Sequence, residues 1–122
     1  MLIENFYTVK EVQETTFANY TAYISLNAAH AVFKGHFPNN PVMPGICMIQ
    51  IIKELSETVL KKELFMEQVS NVKFMTLINP EKCADLTIMF QISEQENQVK
   101  VKSSIDFEGT VALKMSSTYR IS

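Results

Sequence analysis

The chain has 122 residues, a net charge of −2 and a pI near 5.7, with apolar residues at 47% and charged residues at 20%. That size and balance suit one globular domain, expected to span residues 1–122 and to bury its core without metals or disulfides. No like-charged block stands out, Lys61-Lys62-Glu63 being mixed, which argues against nucleic acid as a partner.

The two cysteines, Cys47 and Cys83, show neither CxxC nor Cys/His metal spacing, so no metal and no other cofactor is expected. With no leader-like start and no apolar run approaching ~18 residues, the chain reads as cytoplasmic, without a membrane partner.

In chain order, the first thirty or so residues are rich in β-branched and aromatic types (Phe6, Thr8, Val9, Val12, Phe17, Tyr20, Tyr23, Ile24), which predicts a strand hairpin with its turn near Gln13-Glu14. His30 falls in a predicted strand. A stretch punctuated by Gly, Pro and Asn follows from Gly35 to Pro41 and reads as a structured loop, with Asn39 and Asn40 as turn residues.

Pro44-Gly45 opens one long helix, proline being tolerated in a first helical turn. Its first half is apolar nearly all round, so it should be buried on most sides; the second half, from Lys53, is amphipathic and ends near Lys61-Lys62. Three or four strands are predicted after it. Val69 to Ile78 is the first, then Ala84 to Ile92, where Leu86, Ile88, Phe90 and Ile92 alternate against Thr87, Met89 and Gln91. Ser93 to Asn97 is turn-like, Val99 to Phe107 alternates again, and Glu108-Gly109 turns into a last strand, Thr110 to Ile121.

This order gives an α+β fold in which a curved antiparallel sheet wraps one apolar helix. One sheet covers only one side of such a helix, so a homodimer or higher even oligomer is expected.

Chemistry concentrates in Phe33-x-Gly35-His36-Phe37-Pro38-x-x-Pro41-Val42-Met43-Pro44-Gly45. Prolines 38, 41 and 44 restrict φ, and the glycines permit close backbone approaches, so the loop holds His36 in place. The helix that follows presents unpaired backbone N–H groups, which can stabilise negative charge on a carbonyl oxygen. A neutral imidazole beside them suits a general base. The plainer alternative is a structural or surface histidine. Cys47 reads as core rather than nucleophile. Met43, Met48, Met75 and Met89 could line an acyl tunnel, though core filling is the commoner use of methionine.

GHFPNNPVMPG resembles the signature of the β-hydroxyacyl-ACP dehydratases, roughly GHFPxxPxxPG. The likeness runs more loosely through the helix to Val72-Lys73-Phe74 and Asn79-Pro80, about two thirds of the chain; the N-terminal part lacks the opening helical segment of typical members. The resemblance implies a hot-dog fold, dimers with the site at the subunit interface, and thioesters of acyl carrier protein, or acyl-CoA, as ligands. It assigns C2-proton removal to His36 and binding of the thioester carbonyl to the Gly45 N–H. Phe33, Gly35, Phe37, Pro38, Val42, Met43 and Pro44 are the expected substrate-binding surroundings.

A third role, a carboxylate that helps expel the hydroxyl, falls fourteen positions after the histidine, where this chain has Gln50. An amide cannot deliver a proton as a carboxylic acid does. Glu54 stands four residues on, on the same helical face but one turn (about 5.4 Å) deeper, where many members carry glutamine. The plainer reading of Glu54 is an exposed carboxylate, or one paired with Lys53 or Lys61. Three functions remain: a lyase dehydrating 3-hydroxyacyl-ACP in fatty acid or related acyl-chain biosynthesis, a thioesterase, and a non-catalytic acyl-thioester-binding subunit.

Overall fold

The computed structural model describes residues 5–30, 33 and 43–121. Among these residues, six strands form one antiparallel sheet in the order β1-β2-β4-β5-β6-β3, and one helix lies against it. The elements are β1 (Tyr7–Thr16), β2 (Asn19–Leu26), α1 (Gly45–Leu60), β3 (Leu64–Phe74), β4 (Asp85–Gln95), β5 (Gln98–Phe107) and β6 (Thr110–Ile121). No described helix is long and apolar enough to cross a membrane.

The alternation read from the sequence becomes the two faces of the sheet. Leu86, Ile88, Phe90 and Ile92 of β4 point inward, level with Val99, Val101, Ile105 and Phe107 of β5. Ala22, Ile24 and Leu26 of β2 extend this layer on one side, and Leu113, Met115 and Tyr119 of β6 on the other. Cys47, Met48, Ile51, Ile52 and Leu55 of α1 are buried in the same core cluster. Ser56, also fully buried, satisfies its hydroxyl by donating to the Ile52 carbonyl at 2.9 Å.

The ends of α1 are set by backbone chemistry. Pro44 is the N-cap, in extended conformation and with no side-chain capping bond, so the helix start keeps its N–H groups uncapped by side chains. Lys61 closes the helix in the left-handed conformation at φ 57°, its N–H donating to the Glu57 carbonyl at 2.8 Å. The Glu57 carboxylate then accepts the Leu64 N–H at 2.9 Å, which starts β3 at once.

Several boundaries differ from the sequence reading. The first hairpin turns at Phe17-Ala18, not Gln13-Glu14, because Ala18 takes φ 65° and its N–H is held by the Glu14 carboxylate. β3 begins at Leu64 and ends at Phe74, earlier at both ends than the predicted Val69 to Ile78; its first residues, Leu64, Phe65 and Met66, pair with Ile121, Arg120 and Tyr119 of β6. Ser93 to Gln95, predicted as turn, extends β4 against Lys100, Val99 and Gln98, leaving only Glu96-Asn97 to turn. The Glu108-Gly109 turn is found as predicted, with positive φ at both residues (52° and 77°), the type I′ requirement that favours glycine.

His30 lies beyond β2 rather than in a strand, edge-on to the Phe6 ring at 5.4 Å. Met75 and Met89 are exposed in the single chain, Met89 at the wall of a cleft over the sheet, whereas Met43 and Met48 are buried. The first half of α1 is covered on most sides, as expected: Cys47, Met48, Ile51 and Ile52 are buried, and Ile46 alone in that half is exposed, at 73%.

The fold depends on the inner face of α1. Ile52→Ala, at a fully buried position, is expected to cost about 2–5 kcal/mol in urea unfolding.

Candidate functional site

Gly35, His36, Phe37, Pro38, Val42, Asn39 and Asn40 lie outside the described residues. The described part of the predicted site is Phe33, Met43, Pro44, Gly45, Gln50 and Glu54. Phe33 and Met43 are buried: Phe33 stacks on Phe6 at 5.5 Å, and the Met43 N–H donates to the Ile78 carbonyl at 2.8 Å. These contacts tie the segment entering α1 to the core and to the chain after β3, and so fix where Pro44 and Gly45 stand.

Gly45 is the first residue of α1. A Cβ there would lie 2.8 Å from Cζ and 3.0 Å from Cε1 of Phe74, so the aromatic ring at the end of β3 approaches a backbone that only glycine leaves open. The orphan N–H groups and the positive end of the helix dipole together favour a carbonyl oxygen carrying developing negative charge.

From this start a face of α1 runs along Ile46, Ile49, Gln50 and Lys53, spaced for one side of a helix. With Phe65 and Met66 of β3 these residues line a cleft of about 710 Å³. Gln50 is thus half-buried and brought to a cavity. A second cleft, of about 740 Å³, holds none of the predicted site residues; it lies over β2, β4, β5 and β6, where Lys102, Ser104 and Lys114 alternate with the inward-facing positions.

Glu54 is neither exposed nor paired with lysine. Its Oε1 accepts the Tyr7 hydroxyl at 2.6 Å and its Oε2 accepts Nε2 of Gln50 at 2.8 Å. Lys53 instead pairs with Glu57 at 3.7 Å. Each Glu54 oxygen thus has its own partner, one on β1 and one a turn earlier on α1. Gln50 and Glu54, which the sequence places on one helical face, are in direct contact.

Tyr7 was not foreseen. It lies 47 residues from Glu54 in sequence, on a strand whose other residues are mostly exposed, and no local pattern marks it. Burial first, then the Glu54 bond and the Glu54 and Glu57 charges, hold its phenol well above the ordinary 10.0. A folded value above the unfolded one stabilises the fold fully below pH 10, and this contribution is lost only as the pH rises further into the alkaline range. Cys47 is buried in the core, and burial raises its thiol pKa, which disfavours a nucleophilic thiolate.

The chain is 28% identical over 97 residues to 3-hydroxyacyl-(acyl-carrier-protein) dehydratase FabZ of Rickettsia massiliae, a match that covers 73% of this chain. The match takes in 66% of that protein's length, a little under two thirds. Its fold is shared with a chain of the dehydratase heterocomplex ApeI:P from Xenorhabdus doucetiae, at 18% identity and TM-score 0.74, covering 93% of this chain and 96% of that one. It is shared too with a hypothetical thioesterase protein with coenzyme A from Streptococcus pneumoniae, at 14% identity and TM-score 0.66, covering 98% of this chain and 90% of that one. The six-stranded sheet around α1 is the hot-dog fold that the GHFP signature implied. The model of the ApeI-like family, described as ApeI dehydratase, matches residues 10–114, and the chain belongs to that family of dehydratases.

Proposed function

We propose that the protein dehydrates 3-hydroxyacyl thioesters, carried on acyl carrier protein or coenzyme A, to trans-2-enoyl thioesters and water. The observation that carries this reading is the start of α1, where the Gly45 N–H, in a helix with no side-chain cap, adjoins the GHFPNNPVMPG segment of a dehydratase family. The thioester oxygen sits on the Gly45 N–H, so the charge of the enolate forming at C1–C2 falls on a fixed donor. His36 takes the proton from C2. The C3–O bond breaks, the C2=C3 double bond forms, and the hydroxyl leaves as water.

The leaving hydroxyl needs a proton to depart as water. Gln50 cannot release one, and Glu54 accepts hydrogen bonds on both oxygens. The proton then reaches the leaving oxygen through a water in the cleft, or returns from the His36 imidazolium. Of the expected acyl-binding residues Phe33 and Met43 are buried on the core side; Gly35, Phe37, Pro38, Val42 and Pro44 are assigned to the acyl group by the family signature. The same arrangement favours hydrolysis as a second reading, because Gln50 replaces a carboxylate and an amide can orient a water on a thioester carbonyl.

A second copy of the chain completes the site in this reading. β3 is an edge strand, and beside it Ile46, Phe74 and Leu77 are 73%, 56% and 71% exposed. Pairing of two β3 edges covers these side chains and sets two helix starts across one interface. The protein is placed in the cytoplasm, in acyl-chain biosynthesis.

Incubation with 3-hydroxyacyl-ACP followed by mass spectrometry is expected to show loss of water. Free acid would mean hydrolysis, and an unchanged substrate would leave a binding subunit. His36→Ala is expected to abolish turnover with folding intact. Gly45→Ala forces the Phe74 ring and the helix start apart and is expected to lower kcat/KM on the order of 10²-fold, with a small change in Tm because the ring can swing outward. Light scattering after size exclusion is expected to give an even oligomer, and Ile46→Asp to shift it toward monomer.

A further inference from the structure

We propose that Tyr7 is a positioning residue: acting through Glu54, it fixes the orientation of the Gln50 side-chain amide in the cleft. The proposal rests on the dehydratase reading for its catalytic consequence, but the contact itself stands apart from any activity.

Gln50 has three rotatable side-chain bonds, and its two amide ends are nearly alike in shape. Left to itself it could present either end to a ligand. A carboxylate can only accept, so the Nε2 end must face Glu54, and the 2.8 Å contact fixes which way the amide lies. Glu54 is as flexible as Gln50 and, on a helix, could turn toward Lys53 or solvent. What holds it is the second bond, from a different element. Tyr7 reaches from the start of β1 to the other carboxylate oxygen at 2.6 Å.

The phenol is well suited to this task. Its ring turns about only two side-chain torsions and packs edge-on against Phe6 at 6.4 Å. Its raised pKa keeps the hydroxyl a neutral donor throughout the working pH range. The charges facing it are Glu54 and Glu57 of α1, and the latter is paired with Lys53, so no cation on that helix face competes for the Glu54 oxygens at salt-bridge distance. The result is a chain of contacts from β1 through Glu54 to Gln50, which lines the cleft with Ile46 and Ile49. The side-chain amide of Gln50 is then held in one direction, and it cannot act as an acid.

The test uses the full chain labelled with nitrogen-15, with the Gln50 amide signals identified by their loss in Gln50→Glu. In the unaltered protein the two Gln50 amide protons are expected to be widely separated, one being bound to a carboxylate. Tyr7→Phe keeps the ring and removes the donor. It is expected to collapse that separation and to lower kcat for the 3-hydroxyacyl thioester by about ten- to a hundredfold, the worth of one hydrogen bond to a charged group, with KM and Tm little changed. Should Tyr7→Phe lower Tm, Glu54→Ala is the second variant and is expected to give the same collapse. Unchanged Gln50 signals in Tyr7→Phe, or a collapse with kcat unaltered in an active protein, would overturn the proposal. If the unaltered protein has no turnover, the dehydratase reading fails, and the amide signals alone decide whether Tyr7 fixes Gln50.

Discussion

The packing of one side of α1 into the concave face of the sheet is the constraint from which the rest follows. Cys47, Met48, Ile51, Ile52 and Leu55 are nearly or fully removed from solvent against the inner residues of β4, β5 and β6. Burying them determines the rotation of the helix about its axis. With that rotation set, Ile46, Ile49, Gln50 and Lys53 must face the cleft beside β3, and Glu54 must face the start of β1. The apolar side of the helix thus aims its polar side, and no site residue could be moved from one surface to another without a core residue moving with it.

The site is built from groups with little freedom of their own. The Gly45 N–H belongs to the backbone of a buried helix. The Phe74 ring lies against it so closely that a side chain there would have to push the ring aside. The Met43 N–H is bonded to Ile78, and Phe33 is stacked on Phe6, so the two described ends of the loop segment are tied to the core. Gln50 is the flexible member, and it is the one that the structure restrains from two directions in series. A site of this kind works by holding charge and hydrogen-bond donors where they are needed before the substrate arrives, which avoids the cost of ordering them during the reaction.

Exchanging a carboxylate and an amide along one helical turn alters the chemistry more than the shape. A carboxylic acid at position 50 could release a proton into the cleft, whereas the amide there only gives and receives hydrogen bonds. At position 54 the carboxylate meets a phenol and an amide donor, partners that an amide at the same place could satisfy only in part. The pair is therefore matched, and changing either member alone leaves the other with an unsuited neighbour. Family membership and fold do not remove this difference, because a fold can host several reactions while the residues in the cleft decide among them.

Much of the architecture is written in local patterns. The period-two alternation of Leu86 to Ile92 and of Val99 to Phe107 marks two strands of a meander, since every second side chain must leave water. Glu108-Gly109 marks the turn between β5 and β6, and Pro44-Gly45 marks the helix start, each for a steric reason that a few neighbours suffice to reveal. The signature around His36 and the substitution at Gln50 are equally local. Boundaries set by pairing were not legible: Ser93 to Gln95 look like turn residues until Lys100, Val99 and Gln98 offer them partners, and Glu14 looks like a turn until Ala18 needs its carboxylate. Least legible was the meeting of Tyr7 with Glu54, because contact between residues far apart in sequence depends on how the sheet curls around the helix. The sequence by itself determined the types of the main elements and the identity of the polar pair; only the tertiary structure decided that Glu54 turns inward to Tyr7 and that Gln50 faces the cleft, since the helix's rotation is set by burial of its opposite side.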